Sequence, residues 1–194
     1  MKIGIFGGCF NPPHSMHKEI AEKLVKNSYL DEVIFVPTGN NYNKKDLISI
    51  DTRIEMLRLM LDNKCMLVSD ISKNLDYQYT YQVLDYFKNK YNNSQIYFIC
   101  GTDNLNEFYT WKKYEYILSN YKLLVIIRND DNIKDILSKY EKYKDRIIFA
   151  NISQNPISSS IIRTNIKEDN INYVYKYLDT KVLEYIQNNN LYKK

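Results

Sequence analysis

The sequence has 194 residues, of which 44% are hydrophobic and 14% aromatic, and this apolar content excludes a disordered chain. The 27 Lys and Arg residues exceed the 23 Asp and Glu residues by only four, so charge alone does not predict binding to nucleic acid. The longest apolar run, residues 123–127, is far shorter than the roughly 20 residues that span a bilayer, so no membrane partner is expected.

The hydrophobic pattern predicts six strands that alternate with helices. Each predicted strand is a short run of β-branched and aromatic residues, and these runs lie at 2–6, 32–37, 65–70, 95–101, 122–128 and 146–151. The predicted helices between them begin near Ser15, at a cap on Asp51, at Thr80 and in the Lys- and Asp-rich stretch before residue 146. Two more helical stretches follow, one after Pro156 and one near 179–189.

This alternation predicts an α/β fold: a doubly wound, Rossmann-like parallel sheet of about six strands with flanking and C-terminal helices. No Pro-, Ser- or Gly-rich linker divides the sequence, so we expect a single domain over 1–194, with 156–194 as a helical C-terminal portion. In such sheets ligands bind beyond the carboxyl ends of the strands. The residues that follow strands are therefore the candidates for function.

The segment after the first predicted strand, GGCFNPPHSMH at 7–17, has the outline of a phosphate site. It holds both histidines, His14 and His17, at a helix start, where free backbone N–H groups and the helix dipole favour an anion. Because they are three positions apart, both imidazoles can face one side of the helix start and donate to phosphate oxygens. Half of a zinc site is a weaker alternative, because no Cys or carboxylate cluster stands nearby at ligand spacing, and two histidines that only cap the helix are another.

A second segment, PISSSIIR at 156–163, predicts another anion site at a helix start. Ser158 and Ser159 supply hydroxyls there, and Arg163 can bind a phosphate with two N–H groups. Taken alone, the segment is explained more simply by a serine cap and a surface Arg. Because the two segments follow the first and last predicted strands, they would face each other across a crevice that suits a triphosphate.

Together these segments resemble the H-x-G-H and I-S-S-T-x-I-R motifs of a nucleotidyltransferase superfamily. More closely, the sequence resembles the bacterial nicotinate-nucleotide adenylyltransferases over nearly its whole length. Four further segments match that family in order: VPTGNNYNK at 36–44, RIEML at 53–57, YTYQVL at 79–84 and GTDNLNEFYTWKKYEYIL at 101–118. The last of these is the most specific for the substrate.

The resemblance implies that ATP and nicotinate mononucleotide are joined into nicotinate adenine dinucleotide and pyrophosphate, a step of NAD biosynthesis. The nucleophile is the mononucleotide's own phosphate, whose second pKa is about 6, so no protein base is required. The protein need only align the attack and neutralise the leaving pyrophosphate. Mg²⁺ is expected to arrive on the ATP phosphates, with no metal ligand from the protein.

The resemblance also implies which residues bind ATP. His14 and His17 would contact its phosphates at the reacting centre as the catalytic pair. The other predicted ATP-binding residues are Gly7, Gly8, Phe10, Gly101, Asp103, Ser158, Ser159 and Arg163. Among these, Asp103 would accept hydrogen bonds from the ribose hydroxyls. Ser158, Ser159 and Arg163 would bind the β and γ phosphates.

For the mononucleotide, the resemblance implies four residues: Lys44, Thr80, Trp111 and Lys112. Trp111 would stack on the pyridine ring, while Thr80 and the backbone amide of Lys112 would meet the nicotinate carboxylate. Lys44, with Lys45 as a substitute, would meet the phosphate. Without the resemblance, Trp111 is better explained as a packing anchor and Thr80 as a helix cap.

Three positions depart from the family pattern. Met16 stands where the H-x-G-H motif has Gly, and a side chain there would crowd the phosphates or shift the helix start. NYNK at 41–44 replaces P-P-H-K and so lacks two prolines that stiffen the loop. Ser160 replaces Thr and keeps the hydroxyl.

Two other functions stay open. One is an adenylyltransferase that acts on nicotinamide mononucleotide, because a few hydrogen bonds at the carboxylate are all that distinguish the acid from the amide. The other is a non-catalytic nucleotide-binding module, which would bind ATP without turnover. Phosphopantetheine transfer is disfavoured by the Trp111 segment, and a class I tRNA synthetase by the absence of K-M-S-K-S. The expected partners are ATP and nicotinate mononucleotide, and a homo-oligomer is left open.

Three widely spaced cysteines, at 9, 65 and 100, favour the reducing cytoplasm.

Overall fold

A computed structural model describes residues 1–40, 46–74, 77, 79–127, 132–152 and 157–193. Its strands are β1 (Lys2–Gly8), β2 (Glu32–Pro37), β3 (Met66–Val68), β4 (Gln95–Gly101), β5 (Lys122–Ile126) and β6 (Ile147–Ala150). Its α-helices are α1 (Ser15–Lys26), α2 (Ile50–Met60), α3 (Thr80–Lys90), α4 (Thr102–Glu107), α5 (Tyr114–Asn120), α6 (Ile133–Ser138), α7 (Ser159–Lys167), α8 (Ile171–Tyr175) and α9 (Thr180–Asn188).

The strands form one sheet in the order β3-β2-β1-β4-β5-β6, and every neighbouring pair is parallel. At the centre, Phe6 of β1 pairs with Phe35 of β2 on one side and with Ile99 of β4 on the other. The strand order reverses between β1 and β4, which is where a doubly wound sheet opens a crevice at its carboxyl edge. The predicted fold class is confirmed.

Both faces of the sheet are covered by helices, because successive side chains of each strand point to opposite faces. On β4, Tyr97 and Ile99 pack into a core with α1, α2 and α7–α9. Ile96, Phe98 and Cys100 of the same strand pack into a second core with α3–α6. The sheet is therefore buried on both sides, as its continuous apolar strands predict.

Some predicted elements differ from the observed ones. Helix α2 is capped by Ser49, whose side chain accepts a hydrogen bond from the Thr52 N–H at 3.2 Å, so the cap predicted at Asp51 is wrong. Because Ser49 is the cap, Asp51 lies in the first turn, where its negative charge interacts favourably with the helix dipole. The region 102–120, for which no helix is predicted, forms α4 and α5.

The helices after residue 157 belong to the first core. Val174, Leu178, Val182 and Ile186 are buried in the same cluster as Leu24 of α1. Helix α9 is capped by Asp179, whose carboxylate accepts from the Lys181 N–H at 2.9 Å. Among the helices in the described ranges, none has the length and apolar character that a membrane crossing requires.

Candidate functional site

The loop after β1 folds tightly because two glycines precede an aromatic ring. A Cβ at Gly8 would lie 3.0 Å from the ring of Phe10, a tight contact that would require the ring to shift by a few tenths of an ångström. Phe10 itself has a φ of 47° and is 2% exposed, and its ring packs edge-on against His17 with 4.9 Å between centroids. The absence of a side chain at Gly8 therefore leaves room for the Phe10 ring, which packs against His17.

His14 and His17 lie together at the start of α1, with ring centroids 3.7 Å apart. The backbone N–H of His14 donates to Nδ1 of His17 at 3.1 Å, so a neutral His17 carries its proton on Nε2. His14 is buried and His17 is half-buried, which makes His17 the more accessible of the two. The two imidazoles thus lie together at a helix N-terminus, a position that favours an anion.

Met16 does not crowd this site. Its side chain is 3% exposed and belongs to the first core, on the side of α1 that faces the sheet. Helix α1 still begins at Ser15, directly after His14. The shifted helix start expected from this departure is therefore wrong, and the burial of the Met16 side chain in the first core argues against crowding of a ligand at the helix start.

The start of α7 is joined directly to the loop after β1. The Ser159 hydroxyl donates to the carbonyl oxygen of Pro12 at 2.8 Å, and Nη1 of Arg163 donates to the carbonyl oxygen of Asn11 at 2.9 Å. Ser158 caps α7, with its hydroxyl accepting from the Ile161 N–H at 3.3 Å. The start of α7 thus lies beside the loop that leads into α1, so the two segments that the sequence predicts to face each other are close together.

Arg53 of α2 is a site residue that the sequence reading did not single out. The side chain is fully buried, and burial lowers its pKa, yet an Arg remains charged. Its guanidinium donates to three backbone carbonyls: Cys9 at 2.9 Å, Thr38 at 2.7 Å and Ile48 at 2.9 Å. Arg53 therefore holds together the loops after β1 and β2.

A signal for Arg53 was present in the sequence. Residues Ile50, Ile54 and Leu57 form an apolar stripe at helical spacing, and position 53 falls within that stripe. A charged side chain on a buried helix face needs hydrogen-bond partners and so marks a structural or functional site.

The carboxyl end of β4 lies across the switch point from β1. Gly101 is buried and precedes α4, and Asp103 lies exposed in the first turn of that helix. Asn104 makes a long contact to the Asp103 carboxylate, 3.5 Å from Nδ2 to Oδ1. An exposed carboxylate at this edge can accept hydrogen bonds from hydroxyl groups of a ligand in the crevice.

Trp111 forms an aromatic wall beside β4. Its half-buried ring lies 4.9 Å from the ring of Phe108 and 5.8 Å from that of Phe98, measured between centroids. The ring of Phe98 in turn lies 3.3 Å from where a Cβ on Gly7 would be. Trp111 thus packs against two aromatic rings, and one of them, Phe98, lies between it and the glycine loop.

Thr80 is the first residue of α3 and is half-buried. The ammonium group of Lys112 lies 4.1 Å from the centre of the neighbouring Tyr79 ring, so the segment after Trp111 passes the start of α3. The structure thus brings Thr80, Trp111 and Lys112 to one region. Lys44 and Lys45, and likewise Pro156, lie outside the described residues.

The side chains at the crevice suit an anion. His17 and Arg163 offer N–H groups, and the helix starts of α1 and α7 add backbone dipoles. Within the part of the chain that the structure describes, no three His, Cys, Asp or Glu side chains are grouped to hold a metal ion. The donors described above fit phosphate oxygens.

Comparison with known proteins gives consistent results. The profile of the cytidylyltransferase-like family matches residues 5–165. A probable nicotinate-nucleotide adenylyltransferase of Clostridium acetobutylicum is 35% identical over 98% of each chain, and one of Flavobacterium psychrophilum is 38% identical over the full length of both. The Plasmodium falciparum nicotinic acid mononucleotide adenylyltransferase, solved in complex with NaAD, superposes with a TM-score of 0.85 over 98% of this chain and 97% of that one. Its identity is 24%, so this likeness concerns the fold.

Proposed function

The chain belongs to the cytidylyltransferase-like family and, within it, to the nicotinate-nucleotide adenylyltransferases, and from this premise we propose that it transfers the adenylyl group of ATP to nicotinate mononucleotide. The products are nicotinate adenine dinucleotide and pyrophosphate, which makes the reaction a step of NAD biosynthesis.

One observation in the structure supports this reaction most directly. Two hydrogen bonds, from Ser159 to Pro12 and from Arg163 to Asn11, tie the start of α7 to the loop that carries His14. Two helix N-termini at one point concentrate positive potential, as a triphosphate with its several negative charges requires. A single phosphate would need only one of them.

The chemistry needs charge stabilisation and alignment. The mononucleotide phosphate attacks the α-phosphorus of ATP, the new P–O bond forms, and the bond to the leaving pyrophosphate breaks. Nε2 of His17 would donate a hydrogen bond to a phosphate oxygen on which negative charge builds in the transition state. The His14 ring would lie stacked against that of His17. Ser158, Ser159 and Arg163 would surround the β and γ phosphates, and Gly7 and Gly8 let the ligand approach the backbone beside Phe10.

The remaining groups would bind the two nucleosides. We assign the ATP ribose to Gly101 and Asp103, at the carboxyl end of β4. The mononucleotide would lie toward Trp111, with its carboxylate near Thr80 and the amide of Lys112 and its phosphate near Lys44. Mg²⁺ would enter on the ATP phosphates as part of the substrate, where it would neutralise the charge that develops on pyrophosphate.

Three broader assignments accompany this function. We propose a single domain over 1–194, supported by the burial of α8 and α9 in the same core as α1. A cytoplasmic location is supported by the three cysteines, none of which forms a disulfide bond within the residues that the structure describes. The partners would be the two nucleotides, without nucleic acid.

Release of pyrophosphate tests the proposal. The purified protein with ATP, Mg²⁺ and nicotinate mononucleotide should release pyrophosphate and form the dinucleotide. With nicotinamide mononucleotide the value of kcat/KM should be lower, since the groups that face the carboxylate then lose their partner. ATP binding without pyrophosphate release from either mononucleotide would contradict the proposal and indicate a non-catalytic module.

A further inference from the structure

The segment that follows α9 returns to the loop after β1. The N–H of Leu191 donates to the Ile186 carbonyl at 3.0 Å, and Tyr192 takes a φ of 64°, which turns the chain inward. The Tyr192 side chain is 9% exposed, and its hydroxyl lies 2.8 Å from Oδ1 of Asn11, 181 positions earlier in the sequence. None of the motifs considered above includes this tyrosine.

Asn11 connects three distant parts of the molecule. Its side-chain Nδ2 donates to the carbonyl of Asp46 at 2.8 Å, and its own carbonyl accepts from Arg163 at 2.9 Å. Because the Asp46 carbonyl can only accept, Nδ2 must face it, and Oδ1 must face Tyr192. The Tyr192 hydroxyl is therefore the donor in its bond to Asn11.

The surroundings of Tyr192 keep this donor protonated. Burial raises the pKa of the phenol above its usual range, and the charges of Arg163 and Arg53 act in the opposite direction with smaller effect. A phenol whose pKa lies above that of free tyrosine keeps its proton at any physiological pH. Hence the hydrogen bond to Asn11 does not depend on pH in that range.

We propose that Tyr192 is a positioning residue of the adenylyl transfer, whose hydroxyl fixes Asn11 and, through it, the loop that ends at His14. This inference rests on the proposed function. Asn11 is 2% exposed, so loss of the Tyr192 donor leaves a buried Oδ1 without that partner and favours a different side-chain orientation. Such a change moves the carbonyl that Arg163 holds and the histidine start of α1 together.

The first test removes only the hydroxyl. Tyr192→Phe should lower kcat about tenfold, the loss that one neutral hydrogen bond can cause, and change KM for the mononucleotide less than about twofold. Tyr185→Phe is the matched control: its half-buried ring lies on α9, and the described part of the chain gives its hydroxyl no hydrogen-bond partner. Unchanged kcat for Tyr192→Phe, with only a lower Tm, would mean a structural role and overturn the proposal.

A double-mutant cycle tests whether Tyr192 acts through Asn11. Asn11→Ala removes the acceptor, so adding Tyr192→Phe to that variant should change kcat less than about twofold. Equal effects of Tyr192→Phe on wild type and on Asn11→Ala would show that the tyrosine acts by another route, and would overturn the proposal.

Hydrogen exchange on the ligand-free protein separates this inference from the proposed function. Backbone amides in residues 9–17 should exchange faster in Tyr192→Phe than in wild type, while those of β4 stay unchanged. If wild type releases no pyrophosphate, the proposed function fails, and the exchange rates still show whether Tyr192 orders the loop. Equal exchange of residues 9–17 in both proteins would overturn the inference in either case.

Discussion

The two halves of the crevice are built by different kinds of interaction. In the half around the starts of α1 and α7, to which we assign the phosphates and which we call the phosphate half, Ser159, Arg163 and Arg53 donate hydrogen bonds to backbone carbonyls of distant loops. In the half around Trp111, to which we assign the pyridine ring and which we call the pyridine half, the Trp111 ring packs on Phe98 and Phe108.

This difference has a functional consequence. Hydrogen bonds are directional and fix atoms to within tenths of an ångström, which charge stabilisation at phosphorus requires. Aromatic packing shapes a flat slot and tolerates small shifts. We therefore expect substitutions at the phosphate half to affect mainly kcat or folding, and those at the pyridine half to affect mainly KM for the mononucleotide.

The largest effect is expected at the reacting centre. His17→Ala should reduce kcat by roughly 10²- to 10³-fold, because it removes one N–H donor where charge builds in the transition state. Steady-state pyrophosphate release measures this. Glu22→Ala, at an exposed position of the same helix, is the control and should keep wild-type kcat. Activity of His17→Ala equal to that of the control would remove His17 from the mechanism.

The second largest effect is expected at Arg53, the buried cation that joins the loops after β1 and β2. Arg53→Met should lower the free energy of unfolding by about 3 kcal/mol, since three buried carbonyls lose their donor. Urea denaturation followed by circular dichroism gives this value. Arg58→Met, exposed on the same helix, should change it by less than about 0.5 kcal/mol. Similar losses for both variants would mean that the carbonyls find other donors.

Substitutions in the pyridine half should weaken binding of the mononucleotide. Trp111→Ala should raise KM for nicotinate mononucleotide about tenfold and KM for ATP less, because stacking of an aromatic ring on a base contributes about 1–3 kcal/mol. Trp111→Phe keeps a flat ring and should retain most of the affinity. A larger rise in KM for ATP would place adenine, and not pyridine, against this wall.

The smallest effect is expected for the link between α7 and the loop. Ser159→Ala removes one hydrogen bond to Pro12 and should lower kcat/KM for ATP about fivefold, in line with a net contribution of about 1 kcal/mol. Thr164→Ala, exposed on the same helix, serves as control. If both variants behave like wild type, the Ser159 bond contributes nothing to ATP use, and Arg163 alone holds the two segments together.

The elements that sequence patterns predict well are those set by neighbours in the chain. Apolar strands and the glycine loop before His14 depend on residues a few positions apart, and the structure has them where the pattern places them. The cap of α2 was misplaced by two residues because Ser49 and Asp51 are both suitable caps by type. Helices α4 and α5 were missed because each has fewer than eight residues and shows little periodicity.

The residues that the sequence did not reveal owe their roles to contacts between distant positions. Asn11 contacts Arg163 and Tyr192, which lie 152 and 181 positions away. Nothing local marks Tyr192 in a chain with nineteen tyrosines. Met16 was misread for a related reason: the motif gives the residue type, and only the packed helix shows which way the side chain points.

The most direct test of the account is a crystal structure of the protein with Mg²⁺ and a non-hydrolysable ATP analogue. The account predicts one triphosphate with oxygens within about 3.2 Å of both His17 and the first turn of α7, the reach of an N–H or O–H donor. A triphosphate that touches only one of these two helix starts would contradict it.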